Sequence, residues 1–501
     1  MRNDRATLLG VDIGTTGVRA AVFTERGKKV AEVAEACSSM VPAPGRAEAH
    51  AEDWWRAVCA VLRRIEPHAL LARLDAVGVT GQAPTAVLVD DRGVTLGRAI
   101  LWLDVRADAE ARAIDATLGP GGAQAIGGNR MHAYYLGPKL AWLSAHEREA
   151  MNRAAVVLQS HAFIVMRLTG TAACDPSTAM LCAPLFDARS GSWSDAGARA
   201  SNVDYRLLPR IARAEEVVGT VTHEAAAATG LREGTPVVAG GGDFAASALG
   251  AGVIDEGEAC LMLGTAGNLL MPMQEPRFDD RLINSHHVGC DRWLALGGTL
   301  CGAALEWFRS ACALGADWHT LEVEAAAVVP GDLGELAVLP YFQGERTPIW
   351  DEKARGAFFG IDLTHGRGHL YRALLEGVAL GFRDCLSVAE EHGIRFGEVT
   401  AANGAGRSAL LRQTLSDALG LPLIWRDANV GGGTLAGAAL LAGIGAGVLA
   451  GPTAARAWLA GANGRGIRHE PDPRAHARLC DAFSRRRALY AAVRGAATDS
   501  P

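Results

Sequence analysis

The feature that most constrains this chain is a hairpin that occurs once in each half. "TLLGVDIGTTGVRAAVF", residues 7–23, runs from an aliphatic strand through a polar turn into a second apolar strand. "CLMLGTAGNLLM", residues 260–271, repeats the scheme, with Thr265 and Gly267 placed like Thr15 and Gly17. Two such hairpins predict two similar lobes. With 501 residues, 49% of them apolar and 21% charged, the chain is long enough for two or three domains with sizeable cores.

The hairpin tips also carry chemistry. The first offers backbone N–H groups freed by glycine, the hydroxyls of Thr15 and Thr16, and the carboxylate of Asp12, a set that suits a phosphate and its magnesium ion. The same Asp-x-Gly-Thr string also describes a plain tight turn. Between the hairpins, "VVAGGGDFAASALGAG" sets Asp243 behind three glycines and ahead of a small-residue helix. A third glycine cluster, "AANGAGRSALLRQTLSDALGLPL", enters an amphipathic helix. Glycine turns that open onto helix N-termini let a nucleotide approach the backbone closely. There is no GxxxxGK[ST] string and no GxGxxG followed by a ribose-binding acid, which excludes a P-loop protein and a usual dehydrogenase.

Other partners are set aside by charge and pattern. A net charge of −6 without a Lys/Arg-rich block argues against nucleic acid and anionic membrane surfaces. Ten cysteines without CxxC or zinc spacing read as reduced thiols of a cytoplasmic protein. Asp12 and Arg19 interrupt the apolar N-terminal stretch, so it is not a targeting segment. "TLAGAALLAGIGAGVLAG", residues 434–451, approaches the length of a membrane span, but its Gly and Ala suit a helix packed closely inside a lobe. Trp54 and Trp55 read as core.

The ordered set "GVDIGTTGVRAAVF", "AILWLDVRA", "GGGDFAASALG", "MLGTAGN", "LPYFQGERTPIWDEKARGAFFGIDL", "ALLEGVA" and "NGAGRS" resembles the FGGY family of carbohydrate kinases along nearly the whole chain. The resemblance implies an α/β fold of two ribonuclease-H-like lobes of the actin and sugar-kinase superfamily, with a ligand cleft between them. It implies an N-terminal sugar-binding lobe at 1–248 and a C-terminal ATP-binding lobe at 249–501. The substrates it implies are a sugar or polyol, a ketopentose first, and ATP with Mg2+; a homodimer is left open. Asp243 then serves as the acceptor of the substrate hydroxyl's proton, with helix capping as the bland alternative. Gln82, Trp102, Asp104, Arg106 and Tyr134 are the candidate sugar contacts, Asp104 foremost, with Arg106 orienting it or forming a surface ion pair. Asp12, Thr15 and Thr16 face the phosphates, and Asp12 the metal. Gly264 and Thr265 lie by the γ-phosphate. Gly298, Gly404, Ala405 and Arg407 lie toward the adenosine, and Asn403 stands where the family has glycine.

Two departures bear on the acceptor. Xylulokinases of the family commonly carry Met-His-Gly after Gly-Gln, where "GVTGQAPTAVLVD" has Ala83, Pro84 and Thr85. Loss of that histidine makes the wall less polar and puts D-xylulose in doubt, although a displaced loop or a water could replace it. The Arg-Glu pair of glycerol kinases is missing as well. Ser160 and His161 replace a common Lys-Asp pair, and His161 reads as structural. A ligand sensor on the same fold and a partner-driven ATPase are the competing functions.

Overall fold

The computed structural model describes residues 6–402, 404–426, 433–461 and 466–498; Asn403 falls outside them. Each half builds a seven-stranded mixed sheet around its hairpin. In the first, strands Thr7–Ile13, Gly17–Thr24 and Lys29–Ala36 form an antiparallel meander, and Ala76–Gly81 lies parallel to the first strand. In the second, Glu258–Leu263, Ala266–Met273 and Trp293–Leu300 form the equivalent meander, and Glu398–Ala402 pairs parallel with its first strand. The repeated hairpin therefore marks a repeated topology. Each parallel strand is reached by a helical crossover, which leaves the strand ends free to carry loops at the top of each sheet.

The first core gathers Val11, Val58, Val79 and Phe163, with Trp54 and Trp55 buried on it as expected. The second is built along the 25-residue helix Arg367–Glu391, through Leu374, Phe382 and Leu386 packed against Leu261 and Leu415. A third cluster joins the halves: Leu8, Leu249, Leu270, Leu440 and Leu441 share one apolar body.

That joint explains the charge-free small-residue run. Its first part is the twelve-residue helix Thr434–Gly445, buried through Gly443 and laid on strands Thr7–Ile13 and Ala76–Gly81 of the other half's sheet. No helix among the described residues is long and apolar enough to cross a membrane. Glycine permits the approach: a Cβ on Gly78 would lie 2.0 Å from the carbonyl oxygen of Ala438, and one on Gly10 would lie 2.2 Å from that of Leu435. Gly78→Ala should therefore lower stability by about 3 kcal/mol, the upper end for overpacking a rigid contact. A thermal melt within a degree of the wild type would show that the helix can stand off from the sheet.

Candidate active site

Asp243 is the first residue of helix Asp243–Gly250, directly after the short strand Gly241–Gly242. The cap position is Gly242, which has no side chain to cap with, and Asp243 stands one residue inside the helix, where its carboxyl takes the Phe244 N–H. The preceding glycines serve the protein's own packing. A Cβ on Gly240, whose φ is +76°, would fall 1.9 Å from the carbonyl oxygen of Val79, so they let this segment lie against Ala76–Gly81. The expectation that they make room for ligand is corrected accordingly.

Burial pushes the Asp243 carboxyl up to about 7; the charge of Asp12 adds to the rise, while the Phe244 N–H and Arg19 oppose it. Asp12 sits on strand Thr7–Ile13 and faces Arg19 across the hairpin, a register pair closed by an ion pair of 2.6 Å. Its Oδ2 takes the Arg19 guanidinium, whereas its Oδ1 is buried without a partner. Burial raises the Asp12 pKa and Arg19 counters it. A buried carboxylate oxygen with both lone pairs unused fits a magnesium ion or a water bound to it. Among the described residues no group of three or more acidic, His or Cys side chains forms a closed metal cage. Magnesium suits such a place, because it keeps waters and substrate phosphates as most of its ligands.

Two cavities adjoin the tip of the second hairpin. The smaller, about 110 Å3, holds Asp243 together with Thr15, Gln82, Trp102 and Tyr134 of the first half. Trp102 Nε1 donates to Thr15 Oγ1 at 3.2 Å, and Thr15 Oγ1 donates to Gln82 Oε1 at 3.3 Å, so three expected residues form one chain of hydrogen bonds. Thr15 thus lines the acceptor cavity. Of the Ala83-Pro84-Thr85 stretch only Ala83 reaches this cavity, and its carbonyl accepts from Tyr134 Oη at 3.3 Å. Thr85 turns inward, its N–H donating to Gln159 Oε1.

Asp104 does not reach the cavity. It is fully buried, with its oxygens taken by the Ala47 N–H at 2.7 Å and by a bidentate bracket from Arg106. Arg106 continues to Glu48 at 2.7 Å. Only two residues separate Asp104 from Arg106, so the pair closes locally before any ligand can compete, and it braces the loop that carries Trp102. Both residues are corrected from sugar contacts to supports of that loop, and the surface-pair alternative fails on burial. Lys139, which the sequence reading did not single out, supports the same loop: its buried ammonium donates to the Leu101 carbonyl at 2.8 Å, and burial brings its pKa down to about 7. Ser160 Oγ donates to the Gln82 carbonyl at 2.7 Å, and His161 is buried against Asp175 at 3.3 Å, a structural role.

The second half completes the small cavity with Asn268, Gly297, Gly298, Arg346 and Thr347. Gly298, expected toward the adenosine, lies here instead; its N–H donates to Thr347 Oγ1 at 2.7 Å because strand Trp293–Leu300 runs beneath the Arg346 segment. Arg346 and Asn268 are additions. Both stand inside quoted motifs, and the positive charge of "GERTP" was the available signal.

The larger cavity, about 830 Å3, opens at the tip of the second hairpin. Gly264 and Thr265 line it with Ala405 and Arg407, as expected, and Trp318 and Tyr371 supply apolar walls that sequence reasoning missed. Gly404 opens the single turn Gly404–Arg407, whose Ala405 and Arg407 line the cavity. Thr16 is exposed at the first hairpin tip, its carbonyl accepting from the Cys37 N–H. A cavity of this size with aromatic walls and a glycine-threonine tip accommodates a nucleotide.

Comparison with known proteins gives the same picture along both halves. Residues 7–250 match the N-terminal domain, and 259–446 the C-terminal domain, of the FGGY family of carbohydrate kinases. Xylulose kinase from Escherichia coli (strain K12) is 34% identical over 444 residues, covering 87% of this chain and 90% of that protein. Gluconokinase from Bacillus subtilis (strain 168) is 27% identical over 423 residues, with 82% of each covered. The crystal structure of xylulose kinase from Rhodospirillum rubrum superposes with a TM-score of 0.88 at 32% identity, over 98% of this chain and 99% of that one.

Proposed function

The chain belongs to the FGGY family of carbohydrate kinases, and we propose that this sugar kinase phosphorylates a ketopentose-like acceptor with Asp243 as general base and magnesium held at Asp12. The observation that carries the reading is the position of Asp243: a carboxylate at a helix N-terminus, lining the acceptor cavity and electrostatically coupled to Asp12. The acceptor belongs with residues 1–248 and ATP with residues 249–501, each side reaching into the other at the cleft.

Asp243 accepts the hydrogen bond of the acceptor hydroxyl. As that oxygen forms its bond to the γ-phosphorus, the O–H proton passes to the carboxylate and the bond to the β–γ bridging oxygen breaks, leaving ADP. A pKa near 7 makes Asp243 a better proton acceptor than an ordinary carboxylate, which suits a hydroxyl that becomes acidic only in the transition state. Bound magnesium supplies positive charge against the charge developing on the phosphates. Asp12 offers its free Oδ1 to that ion, and Arg19 opposes the rise that burial imposes on its pKa. Thr265 and Gly264 place backbone and hydroxyl donors at the nucleotide end. Trp102 gives the acceptor's carbon-bound hydrogens an aromatic face, while Gln82 and Asn268 bring amides that both donate and accept.

A coupled ADP-release assay with ketopentoses, D-gluconate, polyols and glycerol tests the reading. Ketopentoses are expected to lead in kcat/KM, with glycerol at least tenfold lower because the small cavity is shaped for a longer acceptor, about one lost hydrogen bond in energy. Sugar binding without ADP release would replace the kinase with a sensor, and ADP release without any acceptor would point to an ATPase.

A further inference from the structure

The acceptor cavity contains one cation. Arg346 comes from the second half, and its backbone is tied down on both sides: Thr347 Oγ1 donates to the Gly298 carbonyl at 3.2 Å, and Glu345 Oε2 accepts from Thr299 Oγ1 at 2.7 Å. Its guanidinium carbon lies 5.4 Å from the ring centre of Trp102 and 4.8 Å from that of Tyr134, both on the first half. Among the described residues no carboxylate comes within ion-pair distance of it. Its charge is thus set against two aromatic rings and the Tyr134 oxygen, and the Glu345 carboxylate feels it without closing an ion pair.

This arrangement leaves donors without acceptors at that end of the cavity. The aromatic rings attract the guanidinium without taking up all five of its N–H groups. Tyr134 gives its own proton to the Ala83 carbonyl, and Trp102 gives its proton to Thr15. A substrate hydroxyl placed there must turn its own proton away from the fork, toward the Asn268 amide or the Asp243 carboxylate that line the same cavity. A planar oxygen carries two lone pairs and no proton, and it can take two N–H groups of the fork at once.

We propose that Arg346 determines acceptor specificity by selecting molecules with an sp2 oxygen, a ketone carbonyl or a carboxylate, over the fully reduced polyol of the same carbon chain. The inference rests on the kinase reading for its reacting end and adds the substrate class at the other. Because Arg346 belongs to one half and the rings that hold its guanidinium to the other, the donor fork is positioned from both sides of the cleft.

The test uses two pairs that differ only in the oxidation state of one carbon, D-xylulose against xylitol and D-gluconate against D-glucitol, with wild type, Arg346→Met and Arg346→Lys. In wild type the oxidised member of at least one pair should exceed its polyol in kcat/KM by about 30-fold or more, as expected when a site built for an acceptor meets a misplaced donor. The xylulose pair leading identifies the ketone, and the gluconate pair the carboxylate. Arg346→Met should collapse the ratio to within about threefold through loss on the oxidised member, and Arg346→Lys should keep part of it, since an ammonium supplies charge without the planar fork. Calorimetric binding of the same four compounds without ATP repeats the comparison independently of phosphate transfer, so it still decides the matter if no acceptor is phosphorylated. Thermal melts and Mg-ADP affinity establish that each variant is folded. An equal loss on both members of each pair, or a ratio that survives Arg346→Met, overturns the assignment.

Discussion

Asp243→Asn is expected to lower kcat for acceptor-dependent ADP release by roughly 10²- to 10⁴-fold, the range for removing a positioned general base. Acceptor and Mg-ADP affinities should change by less than about threefold, because the amide keeps the shape of the group and loses only its ability to take a proton. A retained kcat would remove Asp243 from the chemical step. The wild type should also lose kcat/KM on the acid side as Asp243 takes up a proton, with a midpoint near 7 in the free enzyme. The same raised pKa has a consequence for stability. The folded carboxyl titrates above its unfolded value, so the folded state binds the extra proton between about 4 and 7, and stability falls as pH rises through that window. Without metal or nucleotide, Asp243→Asn should therefore melt higher than wild type at pH 8, with the difference vanishing near pH 4. A variant no more stable at pH 8 would show that the carboxylate is solvated well enough to ionise without cost.

What could be read in advance divides along a physical line. The hairpins at 7–23 and 260–271 were legible because strand alternation and glycine-threonine tips are local, and a repeated local unit implies a repeated lobe. The place of Asp243 in the smaller cavity was legible because a lone carboxylate in a run of small residues stands out in the sequence. Asp104 misled, since its type and place in "AILWLDVRA" suit a sugar ligand as well as a brace. Only the fold shows that Arg106 and the Ala47 N–H consume its oxygens, while Glu48 holds Arg106 in turn. Gly298 misled for a similar reason: a glycine pair on a strand does not reveal which loop lies over it, and here it is the Arg346 segment. Arg346 reaches the acceptor cavity through a segment some 80 residues beyond the second hairpin, a long-range contact that no local pattern carries. The Asp12–Arg19 pair was readable in principle. Counting back from a four-residue tip, residues 14–17, places the two opposite each other, and antiparallel neighbours of opposite charge attract.

That pair leads to the other large expected effect. Asp12→Asn should reduce kcat/KM for Mg-ATP by about 10²- to 10³-fold and raise the magnesium concentration needed for half-maximal rate, because the neutral amide is a poor ligand for a hard dication and Oδ1 has no other occupant. Acceptor affinity should change little. The replacement stays close to isosteric, and Arg19 can still donate to the amide oxygen, so the hairpin keeps its shape. A purely structural role for Asp12 predicts something different: a lower melting temperature, with the magnesium requirement unchanged. The two carboxylates also report on each other, since the Asp12 charge is one cause of the raised Asp243 pKa. With that charge removed, the metal-free loss of stability between about pH 4 and 7 should shift to lower pH. If the magnesium requirement moves and the pH window does not, Asp12 binds the metal but lies too far from Asp243 to be felt. If neither moves, the first hairpin is a plain turn, and the phosphates are held by the second half alone.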